Sequence, residues 1–130
     1  MNTETKTAKI KRYFERMSES DIEGIIAMFA SDGFVMSPFL GKVDAPSFFR
    51  KLGNASTKST LTVHDILISG SNNAGAGRFR YDWVLADGSE LSFEGVDYFT
   101  FNDALEFQSM HIYYDTHPLR MEVGDKYANA

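Results

Sequence analysis

Hydrophobic residues in the first part of the chain recur with the spacing of a helix. The first such stripe consists of Ile10, Tyr13, Phe14 and Met17. The second stripe consists of Ile22, Ile25, Ile26 and Phe29. Spacings of three and four residues place each set on one face, so the pattern predicts two amphipathic helices. Ser20 and Glu23 have the spacing of a capping box and predict the start of the second helix.

The next segment predicts a short strand followed by a third helix. The apolar run over residues 34–36 has the length of a short strand and leads to Pro38. Asp44 and Pro46 predict the start of the helix, because Asp is a favoured N-cap and Pro is tolerated in the first turn. Gly53 predicts its end.

After Thr57 the pattern changes to that of strands. Runs rich in β-branched and aromatic residues, separated by turn residues, cover residues 60–69, 77–86, 89–101 and 104–116. Helices followed by hairpins predict one α+β domain over residues 1–130, in which one face of an antiparallel sheet curls over three N-terminal helices. Residues 118–130 are expected to form a polar C-terminal tail.

The dipeptide Asp87-Gly88 predicts a two-residue hairpin turn, and that turn would fix the strand register. Arg78 would then lie opposite Asp97, and Arg80 and Asp82 would share the face of Asp97. The opposite face would carry Phe79, Tyr81, Trp83 and Val96. A contiguous apolar patch of this kind usually marks an interface, so it predicts a homodimer.

Composition narrows the class of protein. The chain has 130 residues, of which 43% are hydrophobic, enough for one domain with a substantial core. A net charge of −5 argues against nucleic-acid and membrane partners. Without cysteine, and with three histidines that lack metal-ligand spacing, neither a metal nor another cofactor is expected. The N-terminal segment lacks the apolar run of a signal peptide, so a cytoplasmic location is predicted.

Two stretches carry a family resemblance: YFERMSESDIEGIIAMFASDGFVMSP over residues 13–38, and FEGVDYFTFNDALEFQSMHIYYD over residues 93–115. In the order of their elements they resemble the SnoaL-like and ketosteroid-isomerase-like families of the nuclear-transport-factor-2-like superfamily, which also contains limonene epoxide hydrolase. The resemblance implies a fold in which a cone-shaped, curved antiparallel sheet surrounds an apolar pocket, with Asp97 inside it. His111 and the patch of Phe79, Tyr81 and Trp83 would then lie on the outer sheet face, through which the homodimer would form. Because this fold hosts both enzymes and inert binding domains, it does not decide the chemistry.

The resemblance also implies site residues. The two oxyanion donors of the isomerases fall on Tyr13 and Asp97, while the position of their general base holds Ser37. The sequence Arg80-Tyr81-Asp82 resembles the Arg-x-Asp of limonene epoxide hydrolase, with Asp82 as a base that Arg80 orients. The alternative is that Arg80 and Asp82 form a charge pair across the face or at an interface. The residues expected to bind the ligand are Phe34, Met36, Ser37, Phe48, Phe99, Met110 and Tyr114.

Two functions are compatible with these features. The first is a cofactor-independent acid–base enzyme, of isomerase, cyclase or hydrolase type, acting on a small apolar metabolite of steroid, polyketide or terpenoid type. The second is a non-catalytic ligand-binding or dimerisation domain of the same fold. Asp97 likewise has two interpretations: a neutral acid inside the pocket, or an ionised partner of Arg78. The missing carboxylate at Ser37 separates the chain from the isomerases.

Overall fold

The computed structural model describes residues 2–115 of the chain. Its elements are α1 (Thr3–Ser18), α2 (Ile22–Ile26), β1 (Phe29–Ser37), β2 (Gly41–Asp44), α3 (Ala45–Ala55), β3 (Ser56–Ile68), β4 (Ala74–Leu85), β5 (Glu90–Phe101) and β6 (Phe107–Tyr114). The six strands form one sheet in the order β2-β1-β6-β5-β4-β3. The predicted α+β cone architecture is confirmed, with one added detail: β1 and β6 run parallel, while all other neighbours are antiparallel.

Helix α1 forms as the hydrophobic pattern predicts and buries the whole stripe of Ile10, Tyr13, Phe14 and Met17. It packs against β3 and β4, so its apolar face closes over the concave side of the sheet. Helix α3 also follows its predicted signals. The Asp44 carboxylate accepts a hydrogen bond of 2.9 Å from the Ser47 amide, and Pro46 lies in the first turn.

The prediction for the second helix was wrong in its length and its cap. Helix α2 has only 5 residues, and Phe29 belongs to β1 instead. Pairing of Phe29 with Phe107 of β6 buries both rings, at a centroid distance of 5.3 Å, and this tertiary contact outweighs the helical stripe. The N-cap is Asp21, whose carboxylate accepts from the Gly24 amide. Glu23 pairs with an arginine of α3 instead of closing a capping box.

The β4–β5 hairpin differs from the predicted one by a single residue in its turn. The Leu85 amide donates to the Ser89 carbonyl, so three residues form the loop, and the last of these, Gly88, has a φ of +87°. Consequently Gly77 lies opposite Asp97, and Arg78 lies opposite Val96. A shift of one residue moves every side chain of one strand to the other face relative to its partner, so the predicted face assignment of β4 was wrong.

The corrected register exchanges the two faces of β4. Phe79, Tyr81 and Trp83, predicted to form an outer patch, lie on the concave face with Asp97. The convex face carries a charged ladder instead: Arg78 lies 3.7 Å from Glu94, His64 lies 3.1 Å from Glu94, and Arg80 lies 3.2 Å from Asp82. The apolar patch that motivated the homodimer is therefore largely absent, and the homodimer stays a prediction.

The core lies between α1, α3 and the concave face of the sheet. Its centre is a cluster of aromatic rings, Tyr13, Phe14, Phe99 and Phe107, with edge-to-face contacts such as the 5.1 Å between the Tyr13 and Phe99 centroids. Gly77 makes room for this cluster, because a Cβ there would lie 2.4 Å from Cε2 of Phe14. Within residues 2–115, no helix is long and apolar enough to cross a membrane.

Candidate functional site

A cavity of about 450 Å³ opens between the concave face of the sheet and helices α1 and α3. Its depth is formed by buried side chains, which include Tyr13, Phe79, Tyr81, Asp97 and Met110. Its mouth is formed by exposed ones, which include Phe39, Leu40 and Lys51. This volume is in the range of small-molecule sites, and most of its wall is apolar.

Asp97 lies at the depth of this cavity. It stands on β5 between Gly77 of β4 and Ile112 of β6, and only 4% of its surface is exposed. Its carboxyl group makes no hydrogen bond or ion pair with any residue in the range 2–115. Burial in this apolar setting raises the pKa of Asp97 to about 8. The side chain is therefore mostly protonated at neutral pH and can donate a hydrogen bond into the cavity.

Tyr13 of α1 lines the same cavity and is 2% exposed. Burial raises the pKa of its hydroxyl well above the usual value, and the neighbouring Asp97 and Tyr81 raise it further. A hydroxyl that does not ionise near neutral pH remains a hydrogen-bond donor. Tyr13 and Asp97 thus bring two protonated donors to one cavity, an arrangement suited to an oxygen atom that gains negative charge.

A third hydroxyl, that of Tyr81, was not among the predicted site residues. Its pKa is raised by burial, although it shares a hydrogen bond of 2.7 Å with the hydroxyl of Ser59. The two-residue turn expected at Asp87-Gly88 had turned this side chain outward. The strict alternation of apolar Phe79, Tyr81 and Trp83 with charged residues was the signal that could have placed it, because the apolar side of a strand normally faces the core.

Ser37 lies in the cavity wall, where the family resemblance places a general base. Its hydroxyl oxygen accepts hydrogen bonds from the amides of Phe39 and Leu40, at 3.3 and 3.2 Å, and so holds the turn between β1 and β2. A serine hydroxyl in this role has no partner that could take its proton. Among the cavity residues that the structure describes, Asp97 is the sole carboxylic acid.

Some of the remaining predicted site residues line the cavity, and the others do not. Phe48, Met110 and Tyr114 line the cavity, as expected of ligand-binding residues. Phe99 is fully buried beneath the cavity, in the aromatic core, and does not line it. The structure places the remaining four elsewhere: Phe34, Met36, Arg80 and Asp82.

Phe34 and Met36 point away from the cavity because their neighbour Val35 points inward. Val35 pairs with Met110 of β6 and is fully buried, so alternation along β1 turns the flanking side chains to the convex face. There the ring of Phe34 contacts that of His111, at a centroid distance of 6.1 Å, which agrees with the outward position expected for His111.

Arg80 and Asp82 lie on the convex face because of the three-residue turn. The Arg80 guanidinium and the Ser92 hydroxyl both donate to the Asp82 carboxylate, and these bonds lower the pKa of Asp82, the Ser92 bond most. The expectation that Asp82 acts as a pocket base that Arg80 orients was therefore wrong. Within residues 2–115, no cluster of His, Asp or Glu has the geometry to hold a metal ion.

Fold and site together define a small-molecule pocket protein of the cone fold. The profile of the SnoaL-like domain family matches residues 10–105, which is most of the chain. The chain belongs to the SnoaL-like domain family.

Solved structures of the same fold are similar over most of their length. The epoxide hydrolase/cyclase-like enzyme SalBIII, with a role in pyran ring formation in polyether salinomycin, has 17% sequence identity and a TM-score of 0.76, covering 90% of this chain and 96% of its own. AusH from Aspergillus nidulans has 10% identity and a TM-score of 0.74, and the match covers 88% of this chain and 86% of AusH. An NTF2-like protein of unknown function from Exiguobacterium sp. 255-15 has 16% identity and a TM-score of 0.71, and the match covers 82% of this chain and 98% of that protein.

Proposed function

We propose that the chain is a cofactor-independent enzyme of isomerase or cyclase type, acting on a small, largely apolar molecule. The observation that carries the proposal is the presence of two protonated donors, Asp97 and Tyr13, in the depth of an otherwise apolar cavity. Donors of this kind favour a carbonyl, ether or epoxide oxygen, because they stabilise the charge that it develops during reaction.

The absence of a second carboxylic acid among the described cavity residues favours reactions that one acid can complete. In the opening of an epoxide by a hydroxyl of the same molecule, Asp97 protonates the epoxide oxygen as its C–O bond breaks. The substrate hydroxyl forms the new C–O bond, and its proton returns to the Asp97 carboxylate. The net reaction is an isomerisation that regenerates the acid. SalBIII, which is similar in fold, is described as epoxide hydrolase/cyclase-like.

The rival proposal is a non-catalytic binding domain. It is favoured by Ser37, whose hydroxyl is occupied in the β1–β2 turn and offers no base. A binding domain would use the same cavity and the same donors, so binding by itself does not separate the two functions. The two functions are separated by turnover and by the dependence of turnover on the proton of Asp97.

The binding experiment uses β-naphthol, a flat apolar ring system with one oxygen, and calorimetry near neutral pH. Removing a donor hydroxyl costs about 1 kcal/mol, so Tyr13→Phe should weaken binding about fivefold. Tyr113→Phe is the matched control, because it removes the same hydroxyl from a side chain that is 60% exposed and lies outside the cavity. If wild type does not bind naphthol, or if the two variants lose equal affinity, the proposal is wrong.

The turnover experiment uses an aryl-substituted epoxy alcohol whose hydroxyl can close on the epoxide. The wild type should accelerate ring closure over buffer. Asp97→Asn keeps the size of the side chain but cannot give or take the proton. A positioned acid contributes about 10²–10⁴-fold, and a loss of that order is expected. If the wild type binds naphthol but closes the ring no faster than Asp97→Asn, the binding-domain alternative is correct.

A further inference from the structure

One charged side chain interrupts the face that helix α3 turns toward the cavity. The cavity residues of this helix are Phe48, Lys51, Leu52 and Ala55. Their spacing of i, i+3, i+4 and i+7 defines a single helical face, of which the other three members are apolar. A lysine on such a face is unusual, because charged residues are rare where a helix lines an apolar cavity.

Lys51 makes no hydrogen bond and no ion pair with any residue that the structure describes. The preceding residue, Arg50, does form an ion pair, since its guanidinium lies 3.0 Å from the Glu23 carboxylate. Lys51 acts electrostatically on Asp44. The pKa of Asp44 is lowered first by its hydrogen bond with the Ser47 amide, and among weaker causes by the charge of Lys51. The Asp44 carboxylate is thus engaged with the helix N-terminus and leaves the ammonium group of Lys51 unpaired.

Lys51 and Asp97 line the same cavity at different depths. Lys51 is exposed, as are Phe39 and Leu40 of the same wall, whereas Asp97 is only 4% exposed. The rest of the wall is almost wholly apolar. A molecule that contacts both residues needs an oxygen at its inner end, an apolar body, and a group at its outer end that suits a cation.

We propose that the ligand is an amphipathic monoacid, whose carboxylate pairs with Lys51 at the mouth while its apolar body and an oxygen extend inward to Asp97. This inference rests on the proposed function and adds the substrate class to it. Lys51 acts here as a specificity-determining residue. Its ammonium group gives one end of the ligand an electrostatic partner, which fixes the direction in which the ligand enters.

The test compares two probes that differ only at one end. The first is a hydroxynaphthoic acid with its hydroxyl and carboxyl groups at opposite ends of the ring system, and the second is its neutral methyl ester. The ratio of their affinities is measured by calorimetry for wild type, Lys51→Gln and Lys51→Arg. Lys11→Gln is the matched control, because it removes the same charge from an exposed position of α1 outside the cavity.

Lys51→Gln should lower the preference for the acid over the ester by about three- to tenfold, the range for a partly exposed charged hydrogen bond. Lys51→Arg should restore the preference, Lys11→Gln should leave it unchanged, and high salt should reduce it in the wild type. A lysine stem that only covers apolar wall would change the binding of both probes equally, and that result overturns the inference. If the ester binds, and the ratio of the acid and ester affinities is the same in Lys51→Gln as in the wild type, the substrate class is wrong while the proposed function stands. If neither probe binds, both fail.

Discussion

Replacing Asp97 by asparagine should stabilise the fold at neutral and higher pH, although the residue lies in the candidate site. The pKa of Asp97 is raised from 3.8 to about 8 by burial. Between these values the unfolded chain loses the proton of Asp97 while the folded chain keeps it. Because the folded state then binds more protons, the free energy of unfolding falls as the pH rises, and it levels off above the folded pKa. Asparagine has no proton to lose and avoids this fall.

The size of the effect follows from the width of the interval. At about 1.4 kcal/mol per unit of pKa, the difference between 3.8 and about 8 corresponds to on the order of 6 kcal/mol. From about pH 5 to about pH 8, the free energy of unfolding of Asp97→Asn minus that of wild type should grow by about 4 kcal/mol. Burying the amide adds a constant to this difference, so the slope against pH is the informative quantity.

Urea unfolding at a series of pH values measures the slope, with the fluorescence of Trp83, the single tryptophan of the chain, as the signal. Asp82→Asn is the control, because the partly buried Asp82 has a lowered pKa, so it is ionised in both states over that interval and its loss should give no stabilisation that grows with pH. A difference between wild type and Asp97→Asn that stays constant with pH would refute the reasoning. Carboxyl-carbon NMR gives an independent check, and a titration midpoint of Asp97 below its ordinary value would remove it as a neutral donor.

Two further predictions concern packing and assembly. Gly77→Ala should lower the free energy of unfolding by about 1–3 kcal/mol, because its Cβ would lie 2.4 Å from Cε2 of the buried Phe14. Denaturant unfolding measures the loss, and Gly70→Ala is the control, since nothing lies within 4 Å of a Cβ at that position. Equal losses in the two variants would contradict the argument. The homodimer predicted through the outer sheet face would now include Tyr113, which is 60% exposed. Light scattering should therefore give about twice 14.6 kDa for wild type and the monomer for Tyr113→Glu, and a wild-type mass of 14.6 kDa would exclude the dimer.

Much of the fold was predictable from local patterns. The stripe that includes Tyr13 and Phe14 is periodic over a whole helix, and burial of that face is the main reason why α1 forms. The start of α3 was equally predictable, because Asp44 satisfies the first free amides of the helix through its own side chain. Tyr13 and Asp97 were both expected in one pocket, from the family resemblance, and both line the cavity.

Two features depended on contacts that are distant along the chain. Phe29 left its helical stripe because pairing with Phe107 buries both rings. Phe34 left the predicted site because Val35 takes the inward position beside Met110. A third feature depended on the length of one turn: Tyr81 entered the site because Gly88 ends a three-residue turn and not a two-residue one.

The turn shows why the site was harder to predict than the fold. Sequence by itself determined that β4 has one apolar and one charged side, since Phe79 and Tyr81 alternate with Arg78 and Arg80. Only the tertiary structure decided which of these sides Asp97 shares. One residue more or less in a hairpin turn changes the local energy little, but it exchanges the two faces of a strand, and burial of the apolar side on α1 makes that choice.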